Sequence, residues 1–516
     1  MLNVQFLGVI VLCVVQHSAA YQVVLTSDWH YDALYGSEGA AGGGHCRLTS
    51  ASTLGSRGCD SPLSLLQSAV DDMRTVVENA NFTVFTGDWL RHDMDQQPQL
   101  VPSSIAEVGT LLAELSSQPI IAPTVFPDLG NNDYVPDYYF NITDSVTTST
   151  MRDFTDLLAN VSVFESVADR ESFRRCGFYR HKVRNNLLLI VLNPLVWSTS
   201  LLPVESIAGS DPCGQFQFLN QSLSNAAASS VKVILSGHIP PQVDVWNVLG
   251  GMTPEEQEGH FWREEFVQRY EAICAAFSNT IVLQLFGHSH KFYFDAATAA
   301  PLVVLPALSP IFGNNPSYMI ATMDDQTHQV VQLYQRSLDL DTGLWATGPP
   351  LIGYLFGSSP LTSASLKMLS CSWASNMQWD RYLAVYGGGG VYHDQFGPIG
   401  GCDDRCRQLF LCAANFLGYE RVNLCMGATH GEVCDTPATT APLQSVAPAT
   451  LPSSPAPPGR QGQVGVAVFL GCFLFASTVS TLIYLYRKRK ENQRRIVRSG
   501  AQSSYVDDIE GRPVVI

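Results

Sequence analysis

Val23-Val24-Leu25-Thr26-Ser27-Asp28-Trp29-His30 is a short apolar run that ends in a carboxylate and an imidazole one residue apart. Four later runs end in the same manner. Phe82-Thr-Val-Phe-Thr86 is followed by Gly87-Asp88, and Thr124-Val-Phe-Pro-Asp-Leu129 by Gly130-Asn131-Asn132-Asp133. Val231-Lys-Val-Ile-Leu-Ser236 is followed by Gly237-His238, and Val282-Leu-Gln-Leu-Phe286 by Gly287-His288-Ser289-His290. Seven apolar runs of strand length recur between residues 21 and about 340: 23–26, 83–86, 124–126, 187–192, 231–235, 281–286 and 302–305. Helix-like stretches at 63–79, 105–115 and 261–277 lie between several of them. Strands alternating with helices predict an α/β layered domain. Such sheets bind ligands at the carboxyl ends of their strands. Five of these ends deliver Asp28, His30, Asp88, Asn131, His238, His288 and His290. Imidazole and carboxylate together suit a pair of divalent transition metals. A carboxylate can bridge two ions, and an Asn carbonyl is a neutral ligand. On an extended segment, D-x-H and H-x-H place alternate side chains on one face. A glycine before the ligand lets the chain turn sharply off its strand.

The rest of the chain frames this domain. Its 516 residues exceed one compact domain, and a hydrophobic content of 46% supports a large core. The formal net charge of −16 excludes broad electrostatic binding to nucleic acid, which needs a basic footprint. Residues 1–20 read as a signal peptide: an apolar run from Phe6 to Val15 precedes Ser18-Ala19-Ala20. Residues 21–344 form the expected catalytic domain. Residues 345–434 are richer in Cys, Trp and Gly and read as a disulfide-tied helical subdomain. Residues 435–463, mostly Pro, Ala, Thr and Ser, read as a stalk. Residues 464–486 carry no charge and precede Arg487-Lys-Arg-Lys490. As a helix they would span roughly 35 Å, enough to cross a bilayer. The basic cluster then stays cytosolic, which leaves 487–516 as a cytosolic tail and gives a type I topology. Eleven cysteines fall in the expected luminal part, so at least one has no intramolecular partner. Four glycosylation sequons start there, at Asn81, Asn141, Asn160 and Asn220.

The ordered motifs D-x-H, G-D, G-N-x-[ED], G-H and G-H-x-H resemble those of the calcineurin-like metallophosphoesterase superfamily. Within it, the chain looks most like the acid sphingomyelinase-like phosphodiesterases and the endopolyphosphatases. The similarity rests on Ser27–Tyr35, Gly58-Cys-Asp-Ser-Pro62, Thr86-Gly-Asp-Trp-Leu-Arg-His-Asp93, Leu129–Asp133, Ser236-Gly-His-Ile-Pro-Pro241 and Phe286–His290. It covers residues 21 to about 430. It implies a layered (sandwich) metallophosphoesterase fold with a C-terminal helical subdomain. It further implies that Asp28, His30 and His290 bind one ion, that Asn131, His238 and His288 bind another, and that Asp88 bridges them. Zinc is the expected pair. His92, near the substrate phosphate in the family, is the expected proton donor to the leaving oxygen; Asn131 and His238 complete the catalytic set. The resemblance also implies disulfides Cys46–Cys59, Cys402–Cys406 and Cys412–Cys425.

One departure bears on the substrate. Sphingomyelinase-type members carry His directly after the metal-binding Asn, where this chain has Asn132. Asn can hydrogen-bond a phosphate oxygen but delivers no proton. That feature leans toward an endopolyphosphatase, with Asn132 and Arg91 as contacts to phosphate. Hydrolysis of phosphoanhydride bonds in polyphosphate or nucleotides is therefore the first expectation. The second is a phosphodiesterase acting on choline-phosphate esters, with an aromatic cage available from Trp89, Tyr134, Tyr138 and Trp197, although core roles are the plainer reading of those rings. A catalytically inactive membrane anchor or receptor is the third, disfavoured because all seven ligands are present. The expected setting is a secretory, vacuolar or lysosome-like lumen or the cell surface. Oligomeric state is left open.

Overall fold

Each of the seven apolar runs becomes a strand, and five further strands join them in two six-stranded sheets. In chain order they are β1 (Ala20–Thr26), β2 (Ala80–Phe85), β3 (Thr124–Pro127), β4 (Tyr179–Arg184), β5 (Leu187–Val191), β6 (Lys232–Ser236), β7 (Ile281–Phe286), β8 (Tyr293–Asp295), β9 (Leu302–Val304), β10 (Ser317–Asp324), β11 (Val330–Asp339) and β12 (Leu344–Thr347). The first sheet has the order β12-β11-β10-β1-β2-β3 and the second β4-β5-β6-β7-β9-β8. Within the first, β1, β2 and β3 run parallel; within the second, β5, β6, β7 and β9 do. Parallel strands end on the same side, so the residues after β1, β2 and β3 emerge together, as do those after β6 and β7. This computed structural model describes residues 19–37, 46, 52–76, 80–116, 124–204, 209–357, 359–388 and 402–435. Most of the expected signal peptide, the stalk, the span 464–486 and the tail 487–516 lie outside them. Among the described residues, no helix is long and apolar enough to cross a membrane.

The helices are α1 (Leu63–Val76), α2 (Val101–Ser116), α3 (Ser145–Asn160), α4 (Val167–Cys176), α5 (Gln215–Ala228), α6 (Val245–Leu249), α7 (Glu264–Ala276), α8 (Leu351–Tyr354), α9 (Ser363–Cys371), α10 (Asn376–Tyr386), α11 (Asp404–Ala413), α12 (Tyr419–Met426) and α13 (His430–Asp435). Capping side chains fix several starts: Asp144 accepts from the amides of Val146 and Thr147 at α3, and Asp403 from Cys406 at α11. All six residues of β7 are buried, as expected for a strand covered on both faces. One hydrophobic core takes residues from both sheets. Hydrogen bonds join the sheets above that core: Tyr179 donates to the carbonyl of Pro127 (3.1 Å), and Ser236 to the carboxylate of Asp128 (2.6 Å).

Helices α9 to α11 close the β8 edge of the second sheet with aromatic side chains. Phe294 on β8 meets Trp373 and Tyr382, and Phe410 meets Trp379 and Tyr382. The Tyr382 hydroxyl donates to the Phe292 carbonyl (3.2 Å). Covering an edge strand removes a site for unwanted strand pairing. Five disulfides brace the described chain: Cys46–Cys59, Cys176–Cys213, Cys371–Cys434, Cys402–Cys406 and Cys412–Cys425. Three are the pairs the resemblance implies, and Cys176–Cys213 and Cys371–Cys434 are additional. Among the described residues, Cys274 is a free, buried thiol. Disulfides on this scale belong to an oxidising compartment. Asn160 and Asn220 are exposed, while Asn81 and Asn141 are half-buried.

The Cys371–Cys434 bridge closes a sequence separation of 63 residues. Loop-closure entropy for that length predicts that replacing both cysteines by serine costs about 4 kcal/mol. Urea unfolding should show a lower midpoint for the double variant; an unchanged midpoint would show that the aromatic contacts alone hold these helices.

Candidate active site

Where β1, β2, β3, β6 and β7 end, the chain leaves the extended conformation at once. Asp28, His30, Asp88, His288 and His290 all have φ between 42° and 73°. These are left-handed positions that cost non-glycine residues about 1 kcal/mol or more each, and such strain gathers at functional sites. The expectation that D-x-H and H-x-H lie on extended backbone is therefore corrected: both pairs converge because tight left-handed turns point them inward. Two glycines are required by close approach. A Cβ on Gly87, whose φ is +95°, would sit 2.6 Å from the Gly130 nitrogen, and one on Gly130 would sit 2.0 Å from the Asp88 carboxylate. Backbone hydrogen bonds stitch the loops together: Asp28 N to Gly87 O (3.0 Å), His30 N to Asp88 O (3.1 Å) and Gly287 N to His238 O (2.8 Å).

All seven expected ligands meet in this place. The Asp88 Oδ2 lies 3.3 Å from His30 Nε2 and 3.1 Å from His238 Nε2. Asp28 Oδ1 lies 3.4 Å from His290 Nε2. His238 Nε2 also faces the Asn131 carbonyl oxygen at 3.1 Å. Asp88, His238 and His288 form one group of donors within 4.8 Å of one another, and Asp28, His30 and Asp88 form a second. Asp88 belongs to both, as a bridging carboxylate must. A third group joins His30, His92 and His290.

The donor set fits a pair of cations. Asp28 and Asp88 are buried, and the ion-pair partners shown for them are imidazoles. His30 Nδ1 pairs with the Leu90 carbonyl (2.9 Å) and His238 Nδ1 with the Thr86 carbonyl (2.7 Å). A carbonyl only accepts, so each Nδ1 carries a proton, and in the neutral ring Nε2 is then the lone pair aimed inward, the tautomer of a metal-ligating histidine. His30 Nε2 and His290 Nε2 face each other at 3.1 Å, a contact that calls for a cation or a shared proton. Protein charges alone distort the titration here. Burial lowers His238, yet the Asp88 carboxylate overrides it and lifts its pKa to about 10. Burial and then the His238 charge push His288 down to about 3. Burial would raise Asp28, but His290 and the other imidazoles bring it to about 2. The arrangement is a two-metal site.

His92 lies beside the metal cluster, its ring stacked on His30 with centroids 4.2 Å apart. Its Nδ1 is 3.0 Å from Asp60 Oδ1, and its backbone N donates to Asp60 Oδ2 (3.0 Å). Burial lowers the His92 pKa, but the Asp60 carboxylate more than offsets this and raises it to about 9. The same pairing holds Asp60 below the usual carboxylate range against its burial. Asp60 stands in the quoted Gly58–Pro62 stretch, where sequence gave it no role.

The two expected substrate contacts fare differently. Asn132 lines the cleft, but its backbone N and its side-chain amide both donate to Asp88 (2.9 and 2.8 Å). Arg91 does not line the cleft: it is buried, lies 3.7 Å from Asp32 and donates to the carbonyls of His92 and Asp93. Of the four rings considered for a cage, Trp89, Tyr134 and Trp197 are core residues and Tyr138 alone reaches the cleft. Sequence reading missed the supports of the ligands. Asp133 accepts hydrogen bonds from the amides of Asp88, Trp89, Leu90 and Gly130 at 2.7–3.2 Å, which holds the Asp88 turn against the Asn131 turn. Asp137 accepts from Asn131 Nδ2 (2.9 Å) and so turns the carbonyl oxygen toward His238. The cleft itself, about 390 Å³, is walled further by Asp244, Trp246, Phe261, Lys291 and Phe312.

No family model matches the chain. Curated relatives are nevertheless clear. Over 384 residues the chain is 25% identical to the rat cyclic GMP-AMP phosphodiesterase SMPDL3A, covering 69% of this chain and 79% of the relative. It is 23% identical over 430 residues to sphingomyelinase phosphodiesterase C of Dictyostelium discoideum, covering 75% and 88%. With human acid sphingomyelinase-like phosphodiesterase 3b it shares 24% identity over 397 residues, covering 72% and 81%. A solved dimetal phosphatase from Danio rerio is 13% identical, with a TM-score of 0.39, over 63% of this chain and 98% of that one. The resemblance read from the five motifs is borne out: the chain is a relative of the acid sphingomyelinase-like phosphodiesterases, and with them a metal-dependent phosphoric ester hydrolase.

Proposed function

We propose that this protein is a two-metal phosphodiesterase of the acid sphingomyelinase-like type, acting on diesters with a cationic headgroup, choline-phosphate esters first among them. The observation that carries this reading is the convergence of all seven ligands and the Asp60–His92 pair on one cleft that also holds carboxylates and aromatic rings. Asp28, His30 and His290 would hold one ion, Asn131, His238 and His288 the other, with Asp88 shared. Zinc suits this nitrogen and oxygen donor set. When bound, such ions supply an activated water at mild pH and neutralise phosphoryl oxygens. The chain's own residues do the rest. His92 faces the cleft with Nδ1 tied to Asp60, which leaves Nε2 to protonate the departing oxygen. Asp137 and Asp133 keep the ligand loops in register.

Polyphosphate, the first expectation, gains no support. The cleft wall carries Asp137 and Asp244, and Arg91 is turned away from it. Burial raises the pKa of Asp137 and Asp244 to about 6; above that pH a polyanion would face like charges there, whereas an ammonium group would meet carboxylates beside Tyr138 and Trp246. A nucleotide phosphodiester is the second reading, favoured by the activity in the printed name of the rat relative. An inactive anchor fits poorly with an intact ligand set. The uncharged run 464–486 and the basic cluster after it support a C-terminal anchor, with the catalytic part, residues 21–344, and the helical part, residues 345–434, in a secretory or lysosome-like lumen or at the cell surface.

Purified protein should hydrolyse phosphocholine esters, lose that activity on chelation or in His238→Ala, and regain it with zinc. Cleavage of polyphosphate but not of any diester would overturn the reading. Asp244→Asn keeps the cap on α6, since Asn also caps helices, and should raise KM for a choline ester about fivefold or more while moving kcat little. For the proton donor the sign is set by the Asp60 charge. His92 acts while protonated, so activity should fall as pH rises through its pKa. Asp60→Asn removes the charge that raises this pKa, and the alkaline limb should move to lower pH by a unit or more. A limb that stays in place would remove His92 from the donor role.

A further inference from the structure

Phe312 is a large apolar side chain left 41% exposed at the cleft, and its surroundings do not let it move away. It occupies the turn 310–313, closed by a hydrogen bond from Gly313 N to the Pro310 carbonyl (3.0 Å). Gly313, with φ of +78°, lets the chain reverse directly after the ring. The turn is braced on every side. Leu308 N and Ser309 N donate to the carbonyls of Ser27 and Asp28 (3.1 and 2.9 Å), and Gly58 N donates to the Pro310 carbonyl (3.0 Å). The Lys291 ammonium donates to the Phe312 carbonyl (2.8 Å) and to Asn314 Oδ1 (3.3 Å). Asn314 Nδ2 donates to the Ser309 carbonyl (3.0 Å), and Arg57 to the Asn315 side chain (2.8 Å).

The ring is placed against the proton donor. Phe312 meets His92 edge-on at 5.6 Å between centroids and His290 at 4.6 Å. The same turn positions Asp60, because Ser309 Oγ donates to Asp60 Oδ1 (3.1 Å). Phe312 is therefore the exposed apolar ring against which a group beside His92 can pack. Asp137 stands at the Asn131 ligand and Tyr138 at His288, and Asp244 also lines the cleft.

We propose that Phe312, held by the Lys291-braced turn, is the specificity residue for the leaving group, and that it selects esters whose leaving alcohol carries an apolar or aromatic body next to its oxygen. The inference rests on His92 as proton donor and adds a polarity to the substrate: retained headgroup toward Asp137 and Asp244, apolar leaving group on Phe312. Water is displaced from an exposed ring only when that body is present, so the gain is confined to substrates that have it.

The test compares methyl and benzyl esters of phosphocholine and of thymidine 5′-phosphate. Their leaving alcohols differ little in acidity but greatly in apolar surface. The full-length protein should prefer the benzyl ester by about tenfold in kcat/KM, the scale on which an apolar pocket discriminates. Phe312→Ala should bring the ratio of the two esters to within about twofold, mainly through KM, and Phe312→Leu should retain part of it. A ratio that survives Phe312→Ala, or a wild-type protein without preference, overturns the proposal and leaves the phosphodiesterase reading intact. Failure of the wild-type protein to cleave any of the four esters overturns both.

Discussion

The carboxylate of Asp88 is the point on which this structure turns. It is buried, carries charge, and lies within 3.3 Å of imidazole nitrogens delivered by different sheets, His30 from the first and His238 from the second. A charge in that position is tolerable only if cations or protons surround it. The local chain is shaped around it. Gly87 and Gly130 approach more closely than any side chain would permit. Asp133 gathers four amides from the turns on either side, and Asn132 spends both of its donors on the carboxylate. Asn132, where sphingomyelinase-type members carry His, thus supports the Asp88 carboxylate, and on the proposed reading proton delivery is left to His92.

From this centre the cleft gains direction. Its lining combines Asp137, Tyr138, Asp244 and Trp246 with His92, Lys291 and Phe312. A two-metal centre by itself is indifferent to which ester oxygen departs. On the proposed reading, His92 as the acid with the Phe312 ring beside it would remove that indifference and orient the diester.

How much of this was legible in the sequence follows from distance along the chain. The ligands were readable because each sits just after a strand, five of the seven within three residues of a glycine, a local pattern. Partners that meet only through folding were not. Asp60 reaches His92 from 32 residues away, and Ser309 reaches Asp60 from 249. The Cys176–Cys213 and Cys371–Cys434 bridges join segments with no shared motif. Among the strands, β4 is polar and half-exposed, so it lacks an apolar run, and β11 is only partly buried along its length, which blurs its alternation. Arg91 was misread because an arginine beside a ligand motif suggests phosphate binding, whereas burial next to Asp32 gives it a structural role.

Two ions sharing Asp88 would give its buried charge the partners it needs. Anomalous diffraction from crystals of the zinc-loaded protein tests this sharing most directly. Two peaks are expected about 3.5–4 Å apart on either side of the Asp88 carboxylate, one among Asp28, His30 and His290 and the other among Asn131, His238 and His288. A single peak, or peaks away from Asp88, would contradict it.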